Sequence, residues 1–214
     1  MRLIIIFLFF CLTLLAENSR LFDTSKAVFD NVRITRYEHK KQIDEKQGIY
    51  IFDCSSFVCF LLQKVSPEAL AVLPIDKGHS HARAKNFYAF LILLQDKEVK
   101  SGWMRISSMD AIEVGDIIAW EFDASLGRNN TGHVVIVSHK PIKEENGIYR
   151  IAVMDSSNGK HAYDTRLKGT SGLGEGVMWF RTDAQDRPIA LHWSDKTKKP
   201  TIHAIAMGRV IVAN

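Results

Sequence analysis

The sequence predicts an α+β domain in which N-terminal helices pack on an antiparallel sheet. Three observations carry this. Helical periodicity is confined to the first half of the chain. Everything after Gly115-Asp116 reads as β-branched or turn-forming. The strand-like segments follow one another through turn-type loops instead of alternating with helices, which argues against a parallel α/β sheet. With 214 residues and 46% hydrophobic content the chain can bury one ordinary core. No internal repeat or composition shift divides it, so residues 20–214 read as a single domain.

Taken in order, Phe22 to Arg36 is mixed and fits a helix or an irregular lead-in. Glu38 to Gly48 is polar and reads as a loop, and Tyr50-Ile51-Phe52 is a short apolar approach. Asp53 has N-cap chemistry and Ser55 and Ser56 suit a first turn. The wide apolar band Phe57, Val58, Phe60, Leu61, Leu62 then marks a buried central helix. Ser66-Pro67-Glu68 opens a second helix that stops at Pro74. Asp76 to His81 is a polar loop, and Arg83 to Gln95 a third helix with Phe87, Phe90, Leu91 and Leu94 on one side. Ser107 to Val114 leads into the Gly115-Asp116 turn and a strand over Ile117 to Phe122. His133 to Ser138 is a buried strand, Lys140 to Gly147 a hairpin loop with Asn146-Gly147, and Tyr149 to Met154 the returning strand. Gly169 to Gly176 reads as a mobile glycine-rich loop, followed by strands over Val177 to Arg181, Ile189 to Trp193 and Ile202 to Val212.

The net charge of +4 is small, and Lys and Arg are interspersed with Asp and Glu. No nucleic-acid partner is expected from such a surface. Residues 1–16 have the order of a secretory signal: Arg2, then the apolar Leu3 to Leu15, then Ala16 before polar residues. The run is shorter than the about 20 apolar residues that span a bilayer. The expectation is a periplasmic or secreted protein with no membrane association beyond this segment; an uncleaved anchor is the alternative. Removing the segment leaves Cys54 and Cys59, spaced i, i+5 on different faces of one helix, where a disulfide does not fit.

Cys59 sits inside the apolar band and reads as a core residue. Cys54 lies at the helix start beside Asp53 and two serines. Unpaired N–H groups and the helix dipole there favour a thiolate, so alkylation is expected well below the free-thiol value of about 8.5. A thiol nucleophile needs a base. Of the eight histidines, His133 opens a buried strand where a loop meets the sheet; His79 and His81 lie in a polar loop, and His139 at the far strand end. If Lys140 faces Ile148 across the hairpin, His133 faces Asp155, and a one-residue slip would spoil the alignment. Asp155 is equally readable as a turn residue in Asp-Ser-Ser-Asn-Gly, with Asn158 and His161 as substitutes for the third polar group. Cys54 and His133 lack the spacing of metal ligands, and neither a metal nor a cofactor is expected.

Asp53-Cys54-Ser55-Ser56-Phe57-Val58 resembles the nucleophile motif of NlpC-type cell-wall cysteine peptidases. Val114-Gly115-Asp116-Ile117-Ile118-Ala119-Trp120 resembles their Gly-Asp strand. Gly132-His133-Val134-Val135-Ile136-Val137 is similar to the histidine strand shared with CHAP amidases, and the hairpin ending in Met154-Asp155-Ser156-Ser157 is closer to the CHAP pattern. Ser56 stands at the motif glycine, and Glu38-His39-Lys40 follows Tyr37 where the family has Trp-Gly-Gly. The resemblance spans roughly Tyr37 to Asp155. It implies a papain-like fold, a Cys54-His133-Asp155 set and a thioester acyl-enzyme whose oxyanion meets the Cys54 N–H. It also implies a cell-wall peptide held by Asp53, Ser55 and Tyr37, hence peptidoglycan or another peptide or amide as partner. A monomer is the expectation. An acyltransferase or deamidase on the same scaffold and a catalytically silent binding module are the competing readings.

Overall fold

The computed structural model describes residues 20–122 and 131–212. The expected signal segment, residues 1–16, lies outside the described residues. The first element is a helix, α1 (residues 20–31), so the lead-in is helical for most of its length before the chain extends. Strands β1 (Ile34–Arg36), β2 (Gln42–Asp44) and β3 (Ile49–Ile51) form a small sheet in the order β1-β3-β2. The polar stretch expected to be a loop therefore contains a strand. Its pairing with β3 is antiparallel, whereas β1 runs parallel to β3.

Helix α2 (Cys54–Val65) begins where expected. The Asp53 carboxylate accepts from the Ser56 N–H at 2.7 Å, and the Ser56 hydroxyl accepts from the Asp53 N–H at 3.0 Å. This reciprocal cap satisfies orphan donors at the first turn. Helices α3 (Pro67–Ala71) and α4 (Ala84–Leu93) follow.

The large sheet also holds β4 (Val99–Lys100), β5 (Trp103–Ile106), β6 (Ile117–Glu121), β7 (Gly132–Val137), β8 (Ile142–Lys143), β9 (Ile148–Ser157), β10 (Gly172–Thr182), β11 (Pro188–His192), β12 (Thr201–Ile202) and β13 (Ala204–Val210). Its order is β12-β11-β10-β9-β7-β6-β13-β5-β4, with β8 pairing β9, and every pairing between its strands is antiparallel. The domain is thus α+β with few helices and one large antiparallel sheet. The last strand, β13, is an interior strand between β5 and β6. No helix among the described residues is long and apolar enough to cross a membrane.

Period-two alternation divides the core between the two faces. Ile117, Ala119, Val134, Ile136 and Met154 meet Phe57, Leu61, Phe87 and Leu91 on the helical face. Ile118, Trp120, Val135, Val137, Ile151 and Val153 form a second cluster on the other face. Burying one such side chain contributes about 2 kcal/mol.

Asp116, read as turn chemistry, has a larger role. It is fully buried, accepts from the Glu113 N–H at 2.8 Å, and takes Arg209 from β13 on both oxygens at 2.9 Å. This forked pair locks the last strand against β6. Removing one partner leaves the other charge stranded. Arg209→Ala should therefore lower unfolding free energy by about 3 kcal/mol, read as a fall in the chemical-denaturation midpoint with an unchanged slope.

Candidate active site

The site forms where the sheet opens. Strands β7 and β9 pair only at Ile136↔Met154 and Val137↔Val153. Toward the start of β7 the strands part, and the N-terminal end of α2 enters the gap. The Ser156 hydroxyl on β9 donates to Phe52 O at 2.7 Å, just ahead of the helix. From the other side the Val134 backbone N–H favours the anionic form of the Cys54 sulfur. The sulfur is buried among the side chains of the helical face but lies on the floor of a cleft of about 320 Å³.

His133 projects from the opposite face of the same strand end, packed against Trp120 and Trp193 with ring centroids 5.2 and 5.0 Å away. Its Nε2 is 2.5 Å from Asp155 Oδ2. The pairing that brings them together is not the expected one. With Ile136 opposite Met154, Asp155 stands across from Val135, and His133 reaches it diagonally. The offset from the expected register is two residues, so the face is preserved; a slip of one would have reversed it. Asp155 is also no turn residue, because β9 continues through Ser157.

Asp155 is 1% exposed and anchors a wider network. His161 Nε2 lies 2.9 Å from the same Oδ2, and Arg166 Nη2 donates to Oδ1 at 2.9 Å. Arg166 is also held by Asp164, by Nε to Oδ1 and Nη2 to Oδ2 at 2.8 Å each, and donates to Gly172 O at 3.0 Å. Of the candidates for the third polar group, Asp155 is the one hydrogen-bonded to His133. His161 is its second imidazole, and Asn158 makes no hydrogen bond to either among the described residues. The glycine-rich stretch is not a mobile loop: Gly172–Thr182 is β10. A Cβ at Gly174 would stand 2.3 Å from Arg166 Nε, and one at Gly176 would stand 2.7 Å from His161 Cβ. Those glycines clear the space in which the two side chains reach Asp155.

Tyr37, Asp53 and Ser55 line the Cys54 cleft with Thr131 and Gly132. A second cleft of about 380 Å³ contains His133, Phe122 and Trp193, and shares Tyr37 and His39 with the first. Tyr37 and His39 thus border both clefts, while Cys54 and His133 lie in separate ones. No hydrogen bond joins the Cys54 sulfur to His133. The Val134 and Ser55 N–H groups favour the sulfur anion instead, and catalytic bonds often tighten only when substrate is bound. Sequence reasoning missed His39 and Arg166 and set His79 and His81 aside. His39 Nδ1 is 3.2 Å from Asp53 Oδ2, and His81 Nε2 is 3.7 Å from Oδ1, too far for a hydrogen bond. With the helix cap and the Ser55 hydroxyl on Oδ1 as well, Asp53 is already heavily engaged. Spacing gives no sign of these approaches.

The electrostatics overturn one expectation. Burial pushes the Cys54 thiol well up, the Asp53 charge adds to this, and the Val134 N–H only partly opposes it. Desolvation beats the helix terminus, so the resting thiol is protonated. Burial also lowers His133, against the raising effect of Asp155. For Asp155, burial raises the carboxyl, but the His161 and Arg166 charges and the imidazole hydrogen bonds hold it well below its ordinary range. Cys59 is pushed up to about 12, chiefly by burial, as its place in the core implies. The resting set is a neutral thiol, a neutral imidazole and a carboxylate.

His133, Asp155 and His161 offer three buried donor atoms within 4.8 Å of one another, the pattern of a small metal site. The arrangement suits protons better. Donors around a tetrahedral ion stand about 3.3 Å apart, whereas both imidazole nitrogens lie within 2.9 Å of one oxygen. Arg166 also occupies the other oxygen with a fixed positive charge.

No family model, curated protein or solved structure matches the chain.

Two outcomes follow for the free protein. Cys54 should alkylate slowly at neutral pH, with the rate still rising above the ordinary thiol value of about 8.5; mass spectrometry of the labelled peptide reads this out. Stability should fall on acidification. Depressed values in the fold mean that the unfolded chain binds the extra protons first, at His133 below about pH 6.5 and at Asp155 below about pH 4. Thermal unfolding against pH should show the midpoint dropping through that window.

Proposed function

We infer that the protein is an exported cysteine hydrolase of papain-like fold that cleaves a peptide or amide bond, with peptidoglycan stem peptides as the first substrate class to test. The observation that carries the reading is the strand end at β7. A buried imidazole is held there through Nε2 by a carboxylate kept well below its ordinary range, and the next residue's N–H favours the anion of a cysteine sulfur at a helix start.

In this reading Nδ1 of His133 is the nitrogen available for proton transfer. Substrate in the cleft brings its carbonyl carbon to the sulfur, and His133 removes the thiol proton as the C–S bond forms. A neutral resting pair makes this general-base catalysis coupled to attack. Asp155 keeps the ring in one tautomer and stabilises the imidazolium that develops. The oxyanion meets the Cys54 N–H, which as a first-turn donor has no partner within the helix. His133 then protonates the leaving nitrogen, the C–N bond breaks, and water resolves the thioester with the proton returning to sulfur.

The test is incubation of protein lacking residues 1–16 with purified peptidoglycan, with mass analysis of released fragments and of the protein itself. The wild type should release fragments with new amine termini, and Cys54→Ala and His133→Ala should each lose about a thousandfold or more. The acid limb of kcat/KM should lie below the ordinary imidazole value of about 6.5, because His133 must be neutral. Release that is undiminished in Cys54→Ala would overturn the reading.

A further inference from the structure

We propose that the enzyme selects the amine it releases, and that this leaving group carries an uncharged aromatic ring seated on Trp193 and Phe122. The proposal rests on the cysteine-hydrolase reading and extends it to the leaving side of the substrate.

The two clefts divide the catalytic pair between them. The first holds Cys54 without His133, and the second holds His133 without Cys54; Tyr37 and His39 line both. A scissile bond must straddle that junction. Its carbonyl carbon joins the sulfur, so the acyl part extends into the Cys54 cleft. Its nitrogen takes the proton from the imidazole, so the departing amine extends into the His133 cleft.

The clefts differ in chemistry. Asp53, His79, His81 and Arg83 make the acyl side polar and charged. On the leaving side Tyr37, Phe122 and Trp193 present three rings beside the uncharged Ser157 and Asn158, and among the described residues neither a carboxylate nor a Lys or Arg lines it. Its about 380 Å³ accepts one large side chain. A charged amine substituent would lose hydration there and meet no carboxylate among the described residues, whereas a flat ring gains face and edge contacts.

Trp193 is built in place. Its Nε1 donates to Lys160 O at 3.0 Å, its carbonyl lies 3.2 Å from His161 Nδ1, and its ring packs on His161 at 4.4 Å and on His133 at 5.0 Å. The ring that receives the leaving group thus also packs on the imidazole that protonates it. Phe122 lines the same cleft and packs against His203, at 5.2 Å.

The experiment compares two amides with one acyl part, released as phenethylamine or as ethylamine, on protein lacking residues 1–16. Wild type should favour the aromatic amide in kcat/KM by about tenfold or more. Trp193→Phe and Phe122→Ala should each shrink that ratio several-fold; a merely structural role would lower both substrates equally and leave the ratio unchanged. Phe122→Ala serves where Trp193 variants disturb His161. Equal wild-type rates for the two amides, or variants that leave the ratio intact while a Cys54 acyl adduct still forms, would overturn this proposal alone. Absence of any Cys54 adduct with either amide would overturn both this proposal and the hydrolase reading.

Discussion

The buried Asp155 carboxylate is the constraint on which the rest of the site depends. A fully desolvated anion is tolerated only if its oxygens are met by charge and by hydrogen bonds. Here one oxygen serves two imidazoles and the other a guanidinium. Each partner comes with its own demands. Arg166 needs Asp164 and Gly172, and the space cleared at Gly174. His161 needs Trp193 and the space cleared at Gly176. His133 is the one partner whose second nitrogen remains for chemistry. The network ties β7, β9, β10 and the segment after β11 to a single point.

The same residues set the protonation state. Three positive or partly positive groups hold Asp155 ionised, while burial keeps the imidazole neutral. Burial likewise keeps the thiol protonated despite its place at a helix start. A helix N-terminus contributes on the order of 1 kcal/mol, and withdrawal from water costs more than that. The proposed chemistry therefore needs the substrate, bound across the junction of the Cys54 and His133 clefts, to bring the proton transfer about.

Some of this was legible in the residues. The cap at Asp53 and the apolar band of α2 fixed the position of Cys54 at a helix start. The β-branched run after Gly132 fixed His133 at the start of a buried strand. Both are local patterns, set by hydrogen bonding within a turn and by alternation along one strand. The diagonal contact between His133 and Asp155 was approached through hairpin geometry. It survived an offset of two residues because period-two alternation returns the same face. Arg166 was invisible by contrast, since an arginine between a threonine and a leucine reads as solvated surface until the fold buries it.

The sequence by itself determined the α+β class, the start of α2 and the pairing of β7 with β9, because each rests on contacts between near neighbours along the chain. Only the tertiary structure decided that β13 lies inside the sheet between β6 and β5, that glycines in β10 make room for Arg166 and His161, and that the Cys54 thiol is protonated at rest. Those outcomes depend on which distant segments exclude water from a given atom, and desolvation is a property of the surroundings that no local pattern encodes.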